Sequence, residues 1–539
     1  MGRNSAGSSV QSHFARIPSV KMERSVFDRS STHKTTFDSG YLIPYFADEI
    51  LPGDTIKLNS NLVGRLATPI FPYMDNVYLD VHFFFVPNRL VWTNWERFCG
   101  SQDDPTDSTD YLVPQLSAVT HAAGFGEGSL YDYLGIPTKI ASIPQADMPN
   151  ALVMRSYYLV WNEWYRDENL QDSLVFSKGD GPDTTAYALK KRGRRKDYFT
   201  SALPWPQKGP DVMLPIGTSA PVLGIGIEQG LFQVPGANVN VYETDTGSTA
   251  YPLSWKVGPG SSGNEASIRI EGTYPGSVPH PAIYADLNAA TAATINEWRE
   301  AVQLQALFEL DARGGTRYVE LLLAHFGVVS PDFRLQRPEY LGGGTFNVNV
   351  NPIAQTSETT GASPQGNLSA FATVHGRAGF NHSFVEHGHV LGILSDRADQ
   401  TYQQGLNKMW SRRTRYDFYW PTFAHLGEQA VLNKEIYMDG SADDNDVFGY
   451  QERYAEYRYK PSMVTGLFRS NATASLDTWH LALDFGDLPT LAGLVEEDPP
   501  IDRIIAVPSE PQFILDSYTR LKHARPMPVY SVPAQLNRF

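Results

Sequence analysis

The sequence predicts a mainly β protein, an antiparallel jelly roll with two facing sheets and long connections. Three observations point to it. Val77, Leu79, Val81, Phe83 and Phe85 alternate with Tyr78, Asp80 and His82, the period of a half-buried strand. Pro44, Pro52–Gly53, Pro69, Pro72 and Pro87 punctuate that region into short strands. Strands, helical insertions and strands then follow one another with no internal repeat and no regular βα alternation, which argues against a parallel doubly wound sheet.

The elements are justified in chain order. Gly, Ser, Asn and Gln fill the first dozen residues, which cannot order unaided. Over residues 1–36, Arg3, Arg16, Lys21, Arg24, Arg29 and Lys34 outnumber Glu23 and Asp28. This reads either as a frayed basic terminus or as an arm inside a larger assembly. β patterning runs from Tyr41 to Asn88. Val91, Trp95 and Phe98 then fall at helical spacing, with Asn88 placed to cap. Residues 100–150, rich in Asp, Ser, Gly and Pro, read as a long loop. A helix is expected over Ala151–Asn169, with Leu152, Leu159 and Trp164 on one face.

Next come Lys190, Lys191, Arg192, Arg194, Arg195 and Lys196, the strongest basic run, passing directly into Tyr198 and Phe199. A solvated or neighbour-docking loop is as good a reading as nucleic-acid contact. In residues 211–290, Asp211, Glu228, Glu243, Asp245, Glu265, Glu271 and Asp286 outweigh Lys256 and Arg269. With NVNVYE and SIRIEG as β-prone pieces, this segment reads as a separately folded, acidic, β-rich insertion. Thr294 and Glu297 have the spacing of a capping box ahead of a helix whose inner face carries Ile295, Trp298, Val302 and Ala306. Gly314-Gly315 ends it, and Tyr318, Leu322 and His325 mark a second helix stopping at Gly327. Alternation returns in FNVNVNP, GHVLGIL and TRYDFYW.

At 539 residues the chain can bury a large core. Charged residues are 19% and aromatics 12%, which suits a subunit that buries surface against neighbours; a large monomeric enzyme would look similar. The net charge is −15, whereas a protein coating nucleic acid all over would be basic, so any such contact is confined to a patch. The single Cys99 excludes an intrachain disulfide and fits a reducing compartment. No apolar run has the form of a secretory signal or the length of a bilayer span. A soluble protein retained inside the producing cell is expected.

Few motifs carry chemistry. Gly224, Gly226 and Gly230 suggest a dinucleotide fingerprint, but the following LFQVPGANVNVY is β-like where a helix must hold the pyrophosphate. Gly342-Gly343-Gly344 lacks the lysine and hydroxyl of a phosphate loop and reads as a tight turn where backbones approach. His382, His387 and His389 match no zinc spacing. Asp443, Asp444 and Asp446 could hold Ca²⁺, yet lack the ligand spacing of a dedicated calcium loop, so a solvated acidic turn is expected and no cofactor is assigned. No nucleophile–base–acid arrangement is visible, so no catalytic residue is assigned.

The most informative stretch runs from Tyr402 to Ser462. Trp410, Arg412, Arg413, Arg415, Tyr416, Phe418, Tyr419 and Trp420 interleave aromatics with arginine, and Tyr450, Arg453, Tyr454, Tyr457, Arg458 and Tyr459 follow. Rigid aromatics and arginine anchor packed interfaces, and single-stranded nucleic acid also stacks on them. The stretch closely resembles the major capsid protein of microviruses, the small icosahedral single-stranded DNA phages, in their gokushovirus branch. The resemblance recurs at FDRSSTHKTTFDSGYLIPYFADEILPGDT (Phe27–Thr55), RLATPIFPYMDN (Arg65–Asn76) and FFFVPNRLVWTNWERF (Phe83–Phe98). It continues at RRKDYFTSALPWPQKG (Arg194–Gly209), through Asp311–Gly344, and at RPMPVYSVP (Arg525–Pro533). It covers most of the chain outside residues 100–150 and 211–290.

The resemblance implies an eight-stranded viral jelly roll and a non-enzymatic capsid subunit. Sixty copies would form a T=1 icosahedral shell around a circular single-stranded DNA genome. It divides the chain into a basic arm (1–36), a first core part (37–210), a threefold surface protrusion (211–290) and a second core part with an extended C-terminal arm (291–539). Expected DNA-facing residues are Lys190, Lys191, Arg192, Arg194, Arg195, Lys196, Arg412, Arg413 and Arg415. Neutralising Arg194 and Arg195 is expected to leave shells that form but hold DNA poorly. Expected interface residues are Trp410, Tyr416, Phe418, Tyr419, Trp420, Tyr450, Tyr454, Tyr457 and Tyr459. The implied partners are further copies of the chain, the genome, a small basic DNA-binding protein, a pilot protein and a scaffolding protein of the same virus, and a host surface receptor. The implied location is the virion, assembled in the bacterial host cytoplasm. A lectin-like receptor-binding β protein would explain the β content but not the shared blocks. A glycan-processing enzyme would need two placed carboxylates, which 59 acidic residues cannot single out.

Overall fold

The computed structural model describes residues 23–212, 295–315, 317–329, 335–357, 359–361 and 364–530, with short strands between 222 and 285. The basic residues Arg3, Arg16 and Lys21, the capping position Thr294, most of the acidic 211–290 segment and the glycines 224 and 230 lie outside the described residues. The chain divides into two compact units, Met1–Pro206 with Thr316–Phe539, and Gln207–Gly315.

The larger unit is built on β1 (Ser25–Asp28), β2 (Ser31–Phe37), β3 (Ile43–Ile50), β4 (Thr55–Leu66), β5 (Val77–Pro87), β6 (Glu339–Ala354), β7 (Leu368–Ser383), β8 (Gly388–Ala398) and β9 (Phe513–Arg525). They lie in the order β1-β9-β4-β7-β6-β5-β8-β3, with β2 continuing β1 along the same side of β9, and every pairing is antiparallel. The sheet curls into a half-barrel, as a jelly-roll capsid fold requires. The expected two facing sheets are joined here into one. Residues 339–347 of β6 pair with β5, and residues 348–354 pair with β7. In β7 the first residues pair with β6 and the later ones with β4. Two long strands thus bend from one wall into the other.

Side-chain alternation decides what each wall covers. On β4 and β9, Ile56, Leu58, Leu62, Phe513, Leu515 and Leu521 point into the core between the walls, on the same buried face as Ser60, Ser517 and Thr519, and the alternate residues are exposed or half-buried. Phe83 meets Phe380 at 5.3 Å across that core, and Phe85 meets Phe384 at 4.7 Å. Strand β5 is covered on both faces, which explains why its alternation gives way to a continuous apolar run after His82. Phe84 and Val86 turn away into a second core with Trp92, Leu391, Ile393 and the helix α1 (Leu152–Val160). This helix is shorter than the expected Ala151–Asn169. It passes into a π turn at Trp161–Tyr165 and stops at Arg166, and Trp164 is 41% exposed instead of sharing the buried face. Asn88 does not cap: it is the first residue of a short turn, Asn88–Val91, and a second turn spans Trp95–Phe98.

Gly342–Gly344 lies inside β6 and is not a turn. The close backbone approach is real, because a Cβ on Gly343 would sit 2.1 Å from the Val81 carbonyl oxygen. TRYDFYW forms no strand. It folds as a 3₁₀ turn at Arg415–Asp417, where the Asp417 carboxylate accepts the backbone N–H groups of Arg413 and Thr414 at 2.8 and 2.7 Å. The helix α3 (Tyr318–Phe326) ends as expected at Gly327, whose φ of 67° is the left-handed cap that glycine favours.

In the smaller unit, the pairs Val222–Leu223 with Tyr284–Ala285, Ile225–Ile227 with Val241–Glu243 and Asn238–Val239 with Trp255–Lys256 are antiparallel. Ile225–Ile227 is a strand, so no helix start is available there for a pyrophosphate. The helix α2 (Ile295–Arg313) follows. Of its expected inner face, Trp298, Val302 and Ala306 are exposed.

Candidate assembly and nucleic-acid interface

The aromatic–arginine stretch sits on a third core of Tyr198, Phe199, Tyr402, Val431, Ile436 and Phe448. The hairpin of Glu428–Leu432 with Val447–Glu452 frames it. Above the hairpin, Arg412 donates to Glu456 at 3.0 Å while its guanidinium lies 4.2 Å from the Tyr457 ring and 5.6 Å from Phe418. Arg415 lies 5.4 and 5.5 Å from the Tyr416 and Trp420 rings, and the Trp420 indole N–H donates to the Arg415 carbonyl at 2.8 Å. Tyr419 packs edge-on against Tyr454 at 5.1 Å. The result is an ordered plate of rings, not a loose loop.

Of the expected interface residues, Trp410, Tyr416, Phe418, Tyr419, Trp420, Tyr457 and Tyr459 are exposed together, Trp410 at 71%. Exposed aromatics gathered this densely mark a surface that a protein partner covers. Tyr454 is buried beneath them, against Tyr419 and Tyr457, whereas Tyr450 is half-buried in the hairpin, where it pairs with Ala430 and Leu203.

The basic run 190–196 is a crossing segment stitched on both sides. Lys190 O accepts from Leu42 N–H and Arg192 N–H donates to Gly40 O, both at 2.9 Å; Arg194 N–H donates to Val495 O at 2.6 Å. Its charges are largely met within the subunit. Lys190 is half-buried over the Tyr158 ring, and Lys191 pairs with Asp498 at 2.9 Å. Arg192 donates to Asp80 at 2.8 Å, and Lys196 pairs with Asp167. Arg194 is buried, and its guanidinium reaches the Asp498 carbonyl at 3.5 Å. Arg195, Arg413 and Arg415 are exposed, and Arg412 is held by Glu456.

Asp80 organises a buried cluster that sequence reading did not single out. It accepts from Thr345 at 2.6 Å, Arg192 at 2.8 Å and Arg397 at 2.9 Å. Burial alone would raise its carboxyl, but the Thr345 hydrogen bond and the two guanidiniums hold it below the ordinary carboxylate range. Nearby, burial pushes Glu497 up to about 7 despite Arg194 and Arg192. Alternation had flagged Asp80 only as the polar position of a strand; its partners are more than a hundred residues away.

The three histidines do not converge. His382 faces Glu339 at 3.5 Å, His387 packs on Trp95, and His389 is buried, which drops it to about 4. In the acidic loop, Asp444 turns inward and accepts the N–H groups of Asp439 and Gly440. Among the described residues no group of three or more His, Cys, Asp or Glu is placed to hold a metal ion.

The model of the capsid protein (F protein) family matches residues 15–535. The chain belongs to that family. Capsid protein VP1 of Bdellovibrio phage phiMH2K is 51% identical, over 98% of both chains. Capsid protein VP1 of Chlamydia phage 1 is 46% identical over 97% of this chain and 98% of its own length. Capsid protein VP1 of Spiroplasma virus 4 is 34% identical over 93% and 94%. All three are gokushovirus proteins, in agreement with the shared sequence blocks. This capsid protein is thus a structural subunit of the virion that assembles into a shell, and it is not an enzyme.

Proposed function

We propose that sixty copies of the chain close into a T=1 icosahedral shell around a circular single-stranded DNA genome. The observation that carries this reading is the exposed plate of Trp410, Tyr416, Phe418, Tyr419, Trp420, Tyr457 and Tyr459 on its own buried core. Its size and rigidity suit a repeated heterologous contact, and closure of such contacts around symmetry axes sets the shell size. Assembly takes place in the bacterial cytoplasm with the scaffolding protein of the same virus, and the pilot protein joins there. The net charge of −15 leaves genome neutralisation to local patches and to the small basic DNA-binding protein. Among the cations first expected to face DNA, Arg195, Lys196, Arg413 and Arg415 are exposed; Lys196 pairs with Asp167, and the other three retain that role. The acidic 211–290 segment is the outward protrusion that meets the host receptor. No cofactor takes part.

Negative-stain electron microscopy and sedimentation of the expressed chain, with and without the scaffolding protein, test the reading. Uniform closed particles are expected. A stable monomer or small oligomer under both conditions would overturn it.

A further inference from the structure

The half-barrel leaves one broad sheet face open, and its chemistry differs from that of the rest of the chain. On β4, β7 and β9 the alternate side chains that do not enter the core point outward. Directly opposed residues of antiparallel strands share a face, so the pairings arrange these side chains in cross-strand rows. Lys57 stands between Asn381 and Lys522. In the next row Asn59 is beside Arg520, and in the one after, Asn61 stands between Arg377 and Tyr518. Arg65 lies two rows further along. Successive rows are about 7 Å apart.

The carboxylates on and beside this face are already engaged: Asp516 pairs with Lys34 at 3.2 Å, and Asp28 with Lys522. Lys57, Arg65 and Arg520 are exposed and meet no carboxylate among the described residues, and Arg377 reaches only the Asn59 amide oxygen at 3.2 Å. In a chain of net charge −15 this is a concentration of free positive charge. The outward residues of these rows are mostly polar, with Val63 and Ile514 the exposed aliphatic ones, so they offer little apolar area for a protein partner. Tyr518, 47% exposed amid the cations, offers a ring for base stacking, and Asn59 and Asn61 offer both donors and acceptors.

We propose that this β4–β7–β9 face is a binding surface for single-stranded DNA, cations taking the phosphates and Tyr518 a base. It rests on the reading of the chain as a shell around such a genome and names the surface of the subunit that does the work. The described chain enters the sheet at the edge of this face, where Ser25 pairs with Arg525.

The test uses the full chain carrying Lys57→Gln, Arg377→Gln and Arg520→Gln together, a second variant, Tyr518→Ala, and Arg195→Gln for comparison. Binding of a fluorescent thymidine oligonucleotide is followed by anisotropy against salt, and the DNA content of particles by absorbance. Removing three phosphate contacts should lower the salt slope by about 2, at roughly 0.7 per contact on a single strand. Tyr518→Ala should weaken binding about tenfold at unchanged slope. Particles of the triple variant should keep parental shape and hold less DNA. An unchanged slope with unchanged DNA content, or a loss confined to Arg195→Gln, overturns the proposal. So does a folded triple variant that no longer closes particles, since the face would then be a subunit contact. In each of these cases the genome-enclosing reading stands; closed parental particles without nucleic acid would remove that reading and the proposal together.

Discussion

Asp80→Ala removes the one carboxylate that Arg192, Arg397 and Thr345 share. The carboxylate is 5% exposed and each guanidinium 13%, so the substitution strands two cations where water reaches them poorly. Breaking a buried pair by deleting one partner costs about 3–5 kcal/mol. The residual exposure of the arginines and their other partners, such as Ser395 for Arg192 at 2.9 Å, place the expected loss near the lower end, about 3 kcal/mol. Lys34→Ala is the matched control. Its pair with Asp516 is 72% and 53% exposed, so its loss should change stability by less than about 1 kcal/mol. Urea unfolding of the soluble chain, followed by tryptophan fluorescence, reads both. Replacing all three charged members by apolar residues (Asp80→Leu, Arg192→Met, Arg397→Leu) should recover most of the loss, because no charge is then left unpaired. If Asp80→Ala lies within about 1 kcal/mol of the parent, or behaves as Lys34→Ala does, then the argument from burial fails.

Three further outcomes are expected. Glu497 has a folded pKa of about 7 against 4.5 for an unperturbed carboxyl, so the folded chain binds the extra proton between those values. Its contribution is complete below pH 4.5 and falls away by about 3 kcal/mol as pH rises to 7; the difference in melting temperature between parent and Glu497→Gln across that range isolates it from His82 and His389, whose lowered values act in the opposite sense. Trp410→Ala with Trp420→Ala should leave the fold intact by circular dichroism yet lose at least about 2 kcal/mol per contact, seen as unassembled subunits in sedimentation. Gly343→Ala forces a methyl against the Val81 carbonyl and should destabilise by about 1–3 kcal/mol, read as a lower urea midpoint.

What the sequence reveals depends on how local the cause is. Strand β5 is legible from Val77 to Phe85 because its alternation is written into adjacent residues, and the switch to a continuous run at Phe83–Phe85 already reflects cover on both sides. The end of α3 is legible because Gly327 acts on its own turn. TRYDFYW misleads, because its alternating aromatics imitate a strand while Asp417 closes a turn with Arg413 and Thr414. The basic run 190–196 misleads for a different reason. Its neutralising partners Asp80 and Asp498 lie far away in the chain, so its charge looks free in sequence and is engaged in space. The outward cations of β4, β7 and β9 escape notice because they are spread over three strands far apart in sequence, and only the register gathers them. For α2, periodicity finds the apolar face but not what covers it.

The way β6 and β7 bend from one wall to the other bears on mechanics. In a sandwich of two separate sheets, the layers are held by side-chain packing alone and can slide when loaded. Here a shear between the walls would have to stretch the ladders at residues 339–347, 348–354 and 373–383, all in the same two strands. Force applied at the β9 edge therefore travels through backbone hydrogen bonds across β4, β7, β6, β5 and β8 to β3. Such a subunit yields as a stiff curved plate, and the strain is relieved at its margins.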